Sequence, residues 1–420
     1  VSEAISRTSS ASTHMRNLKI DTWSLYLLSC FPLIGMKATV WAIAVFVLVA
    51  LITGNYRGLL KSDKEVVLLS GGLFLLILLR CLIPNHNPES LSYVEVSVSL
   101  LLIPMAFHLK SGAFTEREIS LAGWIFISST LLAFAFGMGY SLYQVSQMQI
   151  ESQDLLSFHI RTFFENAVRY HPTYASVLLG ATMLKLLQNL LERKNNPWLI
   201  GVLMVFAGIL LALLASRTPI AATLGCMVLL VAFYTKSILK AGVMLAVITA
   251  SAFVFFQTVP SFSARFKEVS VENTKLPEKN SEDSFNLRTG IFHCSMGIIK
   301  QHWIWGIGPG QVKSVLNDCY NDIAPDVYKN KNFNTHNQFM DYWAGLGIIG
   351  PIMLLLLFLF TMLTLWKRGD WTGFCILLLF LGAMQTENLL TRQNGIVAFC
   401  YLLALHIFVI GKSNGDTVNK

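Results

Sequence analysis

A histidine stands where a long apolar stretch of the chain begins. His336 is followed by Asn337 and Gln338, and Asp341 lies about one helical turn beyond Asn337. Imidazole can exchange a proton near pH 7, so His336 is a candidate for acid–base chemistry. A lone histidine near the end of an apolar segment is often only a hydrogen-bonded structural residue. Here, however, the density of polar groups favours a hydrated cavity.

Two arginines occur in settings where positive charge is unusual. Arg217 lies in the short hairpin 215–219 between two very apolar segments, and Arg288 precedes a run with helical spacing of apolar residues. A guanidinium is always charged and binds phosphate oxygens through two donors. Alternatively, Arg217 reaches lipid headgroups, and Arg288 pairs with Glu282 or Asp283 on a solvated surface.

A third polar group precedes the sixth apolar segment. Arg161, Glu165 and Arg169 recur every four residues, which predicts one helix face carrying base, acid and base. This face is either a salt-bridged surface or a wall of a substrate site. In the second case, His171 and Tyr174 would contact a sugar.

The composition defines the class of protein. The 420 residues are 54% hydrophobic and 13% charged, with a net charge of +8. A soluble globular protein carries about 25% charged residues. The composition therefore excludes a cytosolic enzyme, a disordered chain and a nucleic-acid-binding protein. It predicts an all-α polytopic membrane protein.

Segments of roughly 20 apolar residues identify the membrane spans. They predict about twelve, at residues 22–36, 38–55, 65–84, 91–108, 119–139, 172–190, 197–215, 219–235, 241–258, 338–365, 373–390 and 395–411. Glu387 and Arg392 lie between the last two and form a further candidate pair.

The distribution of lysine and arginine predicts the orientation, because cytoplasmic segments retain these residues. With the N-terminus inside, fifteen lie in the cytoplasmic segments, and the short outer loops hold only three, or four if Arg80 near the outer end of the third span is counted. Both termini are then cytoplasmic, and the connections 140–171 and 259–337 lie outside. We expect residues 1–15 to be a disordered leader left from cloning. The predicted domains are transmembrane helices 1–9 (16–258), an outer loop domain (259–337), transmembrane helices 10–12 (338–411) and a cytoplasmic tail (412–420).

The sequence gives no sign of a cofactor or a resident metal. The glycines at 306–310 lack the Lys-Ser/Thr that follows a nucleotide-binding loop. His293, His302 and His336 are too scattered for zinc-ligand spacing. Cys294 and Cys319 share the outer loop, where they either pair as a disulfide in an oxidising compartment or remain separate thiols.

These motifs together resemble the bacterial O-antigen ligase family, within its wider superfamily with O-antigen polymerases. His336-Asn337, nine residues, Gly347, two residues and Gly350 fit the family signature. The Ser-Arg-Thr hairpin at Arg217 resembles its arginine between two central spans. Arg288, followed by a helix, an aromatic pair and Gly-Ile-Gly-Pro-Gly, resembles the segment that precedes its histidine. The likeness covers roughly residues 16–411.

The resemblance implies a GT-C-like glycosyltransferase at the periplasmic face of the bacterial inner membrane. Its donor would be a glycan on undecaprenyl diphosphate, and its acceptor a sugar hydroxyl of the lipid A core, with inversion and without a metal. We expect His336 to be the base and Arg217 and Arg288 to stabilise the diphosphate, with Arg265 as a third arginine. The expected substrate-binding residues are Arg265, Arg161, Arg169, His171, Tyr174, Asn337 and Gln338.

Three other functions fit parts of the pattern. An O-antigen polymerase would use the same donor with a lipid-linked glycan as acceptor. A protein O-oligosaccharyltransferase of the same superfamily would transfer the glycan to a protein. A transporter of lipid-linked sugar would be expected to show two repeated halves, and this sequence shows no such internal symmetry.

Overall fold

The computed structural model describes residues 20–56, 63–82, 88–148, 153–235, 237–246, 250, 276, 284–328 and 333–410. The predicted leader 1–15, the tail 412–420 and Arg265 lie outside these residues. Of the predicted outer loop domain 259–337, only residue 276 and the two stretches from 284 onward are described.

The described residues form helices joined by turns. In chain order the helices are α1 (20–29), α2 (Phe31–Thr53), α3 (Lys64–Leu82), α4 (Pro88–Ser97), α5 (Ser99–Leu109), α6 (Glu116–Ser146), α7 (Gln153–Val168), α8 (Pro172–Leu191), α9 (Pro197–Leu214), α10 (Arg217–Thr235), α11 (Ser284–His302), α12 (Val312–Ile323), α13 (Pro325–Tyr328), α14 (Gln338–Leu346), α15 (Ile349–Arg368), α16 (Trp371–Ala383) and α17 (Gln393–Ala404). A π-helical turn, Leu405–Ile410, extends α17. The all-α class predicted from composition is confirmed.

Nine spans within the described residues are long and apolar enough to cross a membrane, and each matches a predicted span. The predicted span 22–36 is divided by a turn at Cys30. The predicted span 241–258 lies mostly outside the described residues. The predicted span 373–390 is the 13-residue helix α16, which ends at Ala383. The chain is a multi-pass membrane protein.

Local sequence signals fix the helix ends that matter for the polar groups. Asn337 caps α14, because its Oδ1 accepts hydrogen bonds from the next two available backbone N–H groups, those of Phe339 and Met340, at 2.9 and 3.0 Å. His171 caps α8 by accepting from Thr173 N at 3.4 Å, and Pro172 at the first helical position needs no such partner. Two predicted site residues therefore also define where helices begin.

The predicted continuous span 338–365 is divided in the structure. α14 ends at Leu346 and α15 begins at Ile349, because Gly347 adopts a φ of +74° that favours glycine. A Cβ at Gly347 would collide with the backbone of Ile304. The segment that approaches Gly347 is thus the turn after α11.

The break between α14 and α15 leaves carbonyl groups without helical partners. Ile307 N donates to Ala344 O at 2.8 Å, and Gly308 N donates to Gly345 O at 2.9 Å. Non-helical backbone at the edge of a membrane protein is stable only when its polar groups are satisfied in this way. The glycine turn after α11 therefore holds the outer helices against the membrane helices.

Two helices are almost enclosed by the others. α8 is 78% buried over its apolar window, and the span Gln393–Ile410 is 89% buried. A Cβ at Gly180 of α8 would meet Thr223 of α10 and Leu379 of α16, so these three helices pack closely. Since α8 begins at the predicted sugar-binding residues, its burial fixes their position.

The outer helices α11 to α13 have a small core of their own. It contains Ile298, Leu316 and Tyr328, and the disulfide between Cys294 of α11 and Cys319 of α12 links its two longer helices. The structure thus pairs the two cysteines whose state the sequence left open.

Candidate active site

The loop that follows α16 carries a buried carboxylate. Glu387 is only 4% exposed, and its neighbour Asn388 is fully buried. Asn388 N donates to Glu387 Oε1 at 3.3 Å. Burying a carboxylate is costly unless cationic or hydrogen-bonding partners surround it.

His336 lies beside this carboxylate. Its Nδ1 is 3.5 Å from Glu387 Oε2, an ion-pair distance that is long for a direct hydrogen bond. The backbone of His336 has a φ of +46°, which is unusual for a residue other than glycine, and its N–H donates to Asn334 Oδ1 at 3.0 Å. With Nδ1 directed to the carboxylate, Nε2 remains on the opposite edge of the ring for chemistry.

The surroundings of Glu387 keep it ionised. Burial alone would raise the pKa of Glu387, but the interaction with His336 opposes this effect. With the further charges of His171 and Arg392, it lowers the pKa to about 2. At neutral pH Glu387 is therefore a carboxylate, and it lies beside the ring of His336.

One of the two arginines expected to bind phosphate, Arg288, interacts electrostatically with Glu387. Removal of hydration by the surrounding protein lowers the pKa of Arg288, the charge of Glu387 raises it, and the charge of Arg217 lowers it. Arg288 is at the start of α11 and Arg217 is the first residue of α10. Arg288 therefore lies within electrostatic range of both Glu387 and Arg217, and His336 lies beside the same carboxylate.

A second set of residues adjoins Glu387 from α7, α8 and the end of the loop. Burial lowers the pKa of His171 to about 4, Glu387 raises it, and Arg161, Arg392 and His336 lower it. His171 is therefore neutral at pH 7, which agrees with its acceptance of a hydrogen bond from Thr173 N. A neutral imidazole here can hydrogen-bond to a sugar without adding charge.

Tyr174 and Arg392 stand close to these groups. The Arg392 guanidinium carbon is 5.9 Å from the centre of the Tyr174 ring, and Nη1 is 3.6 Å from Glu165 Oε1. Tyr174 is buried, and its hydroxyl donates to Asn388 O at 2.9 Å. The hydroxyl of Tyr174 is therefore occupied by the loop backbone, and the residue lines the cavity beside His171.

The predicted charged face of α7 is only partly formed. Arg161 and Glu165 lie on α7, but the helix ends at Val168 and Arg169 has a φ of +60°. Arg169 therefore lies outside the helix, and its carbonyl accepts from Asn394 Nδ2 at 2.8 Å. The prediction that Arg161, Glu165 and Arg169 share one helix face is therefore wrong for Arg169.

Asn337 and Gln338 connect the His336 segment to the Glu387 loop. Asn337 Nδ2 donates to Gln385 O at 3.2 Å, and the fully buried Gln338 accepts from Leu390 N at 2.7 Å through its Oε1. The structure gives both side chains a role in holding the loop. Contact between them and a substrate stays a prediction.

A cavity of about 740 Å³ opens beside His171. Its polar wall contains Glu95, Glu165, Arg169, His171 and Arg392. Its apolar wall comes from α2, α4 and α5, and includes Met36, Val40, Ile43, Val96 and Leu102. A cavity with one charged wall and one apolar wall formed by span residues suits an amphiphilic molecule.

Sequence reasoning underestimated Glu387 and missed Asn388. The signal for Glu387 was an acid in a short connection between two apolar segments, where uncompensated charge is costly. Its position at the centre of the arginines and histidines depends on α16 ending at Ala383, which hydropathy did not indicate. Among the described residues, no group of three or more His, Cys, Asp or Glu side chains could hold a metal ion.

Residues 202–355 match the family model Wzy_C, described as O-antigen ligase. The match covers just over a third of the chain and includes Arg217, Arg288 and His336, whereas Glu387 and His171 lie beyond it. No curated protein matches the chain. Over residues 202–355, this chain is similar to the O-antigen ligase family.

Proposed function

We propose that the chain transfers a glycan from undecaprenyl diphosphate to a sugar hydroxyl of the lipid A core. The match of residues 202–355 to the O-antigen ligase model supports glycan transfer as the reaction class. The observation that carries the proposal is His336 Nδ1 at 3.5 Å from Glu387 Oε2, with Arg288 within electrostatic range of both Glu387 and Arg217.

In the proposed reaction one bond forms and one breaks at the anomeric carbon. The acceptor hydroxyl oxygen attacks this carbon, and its proton passes to Nε2 of His336. The bond between the anomeric carbon and the diphosphate oxygen breaks, and the electron pair leaves with undecaprenyl diphosphate. Attack opposite the leaving group inverts the anomeric configuration.

The arginines are suited to the leaving group. Negative charge accumulates on the diphosphate as the glycosidic bond breaks, and a preorganised guanidinium stabilises this charge most strongly in the transition state. Arg217 and Arg288 are assigned to this task, and Arg265 is a third candidate. Because the arginines supply the positive charge, the proposed reaction is independent of a metal ion and a cofactor.

Glu387 and His171 complete the proposed machinery. The carboxylate orients the imidazole of His336 and stabilises the imidazolium that forms during attack. The neutral His171 is suited to a sugar hydroxyl, with Arg161, Arg169, Tyr174, Asn337 and Gln338 as further candidate contacts. The cavity of about 740 Å³ is suited to a lipid-linked substrate, because its apolar wall can cover hydrocarbon while its charged wall covers the sugar.

The proposed location is the bacterial inner membrane, with the site facing the periplasm and both termini in the cytoplasm. The lysine and arginine distribution supports this orientation. The Cys294–Cys319 disulfide is consistent with it, since disulfides persist in an oxidising compartment.

Reconstitution of the chain in lipid vesicles tests the proposal. The chain is supplied with a lipid-diphosphate glycan and either lipid A core or a second lipid-linked glycan as acceptor, and the products are resolved by electrophoresis. A whole glycan chain added to lipid A core supports the ligase, and EDTA should leave the rate unchanged. Growth of the lipid-linked acceptor by single repeats identifies a polymerase, and transfer only to an added protein identifies a protein O-oligosaccharyltransferase. Movement of the donor across the vesicle without transfer identifies a transporter.

A further inference from the structure

The residue next to Glu387 is held by a buried hydrogen-bond network. Asn388 Nδ2 donates to Asp341 Oδ1 at 2.9 Å and lies 3.0 Å from Thr335 Oγ1. Thr335 Oγ1 is also 3.1 Å from Asn388 Oδ1. The hydroxyl of Tyr93 donates to the second carboxylate oxygen, Oδ2, of Asp341. All four residues are buried or half-buried, so these contacts are formed in a protein environment rather than in water.

This network joins the two segments that carry the proposed catalytic pair. Thr335 directly precedes His336, and Asn388 directly follows Glu387. Asp341 belongs to α14, whose N-terminal cap is Asn337. The backbones of the two segments meet where Gln338 N donates to Met384 O at 2.9 Å, one residue beyond the N-cap of α14. The contact between Asp341 and Asn388 adds a side-chain connection directly beside Glu387.

We infer that Asp341 is a positioning residue, which acts through Asn388 to hold Glu387 beside His336. The expected effect of Asp341 on the rate rests on the proposed function. The hydrogen-bonded connection from Asp341 to Asn388 is independent of that function. Asp341 is buried and contacts Asn388 and Tyr93 rather than His336 or Glu387 in the contacts described. A displacement of about 1 Å in a reacting group can reduce a rate about 100-fold.

The hydrogen-bond pattern permits a reciprocal exchange of the two side chains. In Asn388→Asp, two carboxyl groups face each other and the donor to Asp341 is lost. In the double variant Asp341→Asn/Asn388→Asp, an amide donor again faces a carboxylate, with donor and acceptor exchanged. Tyr93 can still donate to the amide oxygen at position 341, and Thr335 can donate to the carboxylate at position 388. The single variant Asp341→Asn also keeps an oxygen to accept from Asn388.

Glycan transfer by these variants tests the inference in the reconstituted system. We expect Asn388→Asp to lower kcat about 100-fold while the KM for the donor changes little, since the reacting groups are displaced and the outer substrate contacts remain. The double variant is expected to recover kcat to within about tenfold of wild type. Asp341→Asn alone should stay closer to wild type than Asn388→Asp. The matched control is Ser29→Ala, which removes a buried 2.8 Å contact with Tyr401 elsewhere in the bundle and should leave kcat unchanged.

Two measurements separate this inference from the proposed function and from misfolding. Thermal unfolding in detergent identifies variants that fail to fold. If Asn388→Asp fails to fold, Thr335→Val is used in its place, because it removes one hydrogen bond of the network. Amide hydrogen exchange at 384–391 requires no activity, and it should rise in Asn388→Asp and fall again in the double variant. If wild type transfers no glycan, the proposed function fails and the exchange data alone decide the inference. The inference is overturned if Asn388→Asp keeps the wild-type kcat and the wild-type amide exchange. It is also overturned if that variant shows only a raised KM, or if the double variant does not recover.

Discussion

Nδ1 of His336 and Oε2 of Glu387 lie 3.5 Å apart, and both residues belong to non-helical backbone next to the end of a helix. His336 precedes the capped start of α14, and Glu387 follows the end of α16 at Ala383. The irregular backbone at these two helix ends brings the imidazole and the carboxylate together.

Replacement of His336 by alanine should remove the proposed base. We expect glycan transfer to fall about 10²–10⁴-fold, the contribution that a general base usually makes, with expression and thermal stability maintained. His293→Ala is the matched control, because His293 is exposed on α11 and should leave the rate unchanged. Transfer near the wild-type rate by His336→Ala would remove His336 as the base.

Replacement of Glu387 by glutamine should keep the size of the side chain and remove its charge. The imidazolium that forms at His336 then loses its carboxylate, so we expect a fall in kcat of about 10–100-fold. Steady-state kinetics with saturating donor measures this effect. An unchanged kcat would mean that Glu387 serves the packing of the loop alone.

Replacement of Arg217 by lysine tests whether the shape of the cation matters. A lysine ammonium cannot bind two phosphate oxygens as a guanidinium does, so transfer should fall about 100-fold. Arg193→Lys is the control, since Arg193 is exposed and precedes the start of α9, whereas Arg217 follows the end of that helix. Full activity in Arg217→Lys would indicate an arginine that only contacts lipid headgroups.

The stability of the protein should depend on His171 between pH 6.5 and 4. The pKa of His171 is lowered from 6.5 to about 4 in the folded protein, so in this range the unfolded chain binds more protons than the folded one. The contribution of His171 to stability is therefore lost as the pH falls through this range. Thermal unfolding in detergent should show a smaller loss for His171→Asn, which retains an N-cap oxygen. Equal losses in the two proteins would contradict the prediction.

Loss of the disulfide should loosen the outer helices that carry Arg288. The bond closes a segment with a sequence separation of 25, for which chain entropy predicts a stabilisation of about 3 kcal/mol. Cys294→Ser should lower the unfolding temperature and make α11 more sensitive to protease, and a reductant should have the same effect on wild type. Cys30→Ser removes a free thiol and serves as the control. Wild-type protease resistance after reduction would argue against this role.

Much of the fold follows from hydropathy and cap residues. Apolar length predicts the spans, because every residue facing lipid must be apolar and every backbone group must be paired. The same criterion cannot detect the break at Gly347, since the residues on both sides remain apolar. That break depends on the backbone of Ile304, which is distant in sequence and contacts Gly347 only in the folded chain.

The site was predictable where a residue type is unusual for its surroundings. An arginine between apolar segments and a histidine at the start of one are visible in the sequence alone. The proximity of His336 and Arg288 to Glu387 is not, because it requires the starts of α11 and α14 to lie beside the loop that follows α16. Arg169 shows the limit in detail: a four-residue spacing predicts a shared helix face, but the helix ends at Val168 before that residue is reached.

The pairing of the glycine turn at 306–308 with the carbonyls of Ala344 and Gly345 has a consequence for protein engineering. A chimera that takes only the outer helices from a relative would combine a foreign glycine turn with the native end of α14. The backbone hydrogen bonds between these two segments would then no longer be matched. Residues 303–350 are therefore the smallest unit that can be transplanted with its internal register preserved. A swap within these limits would exchange His336 together with the turn that supports it.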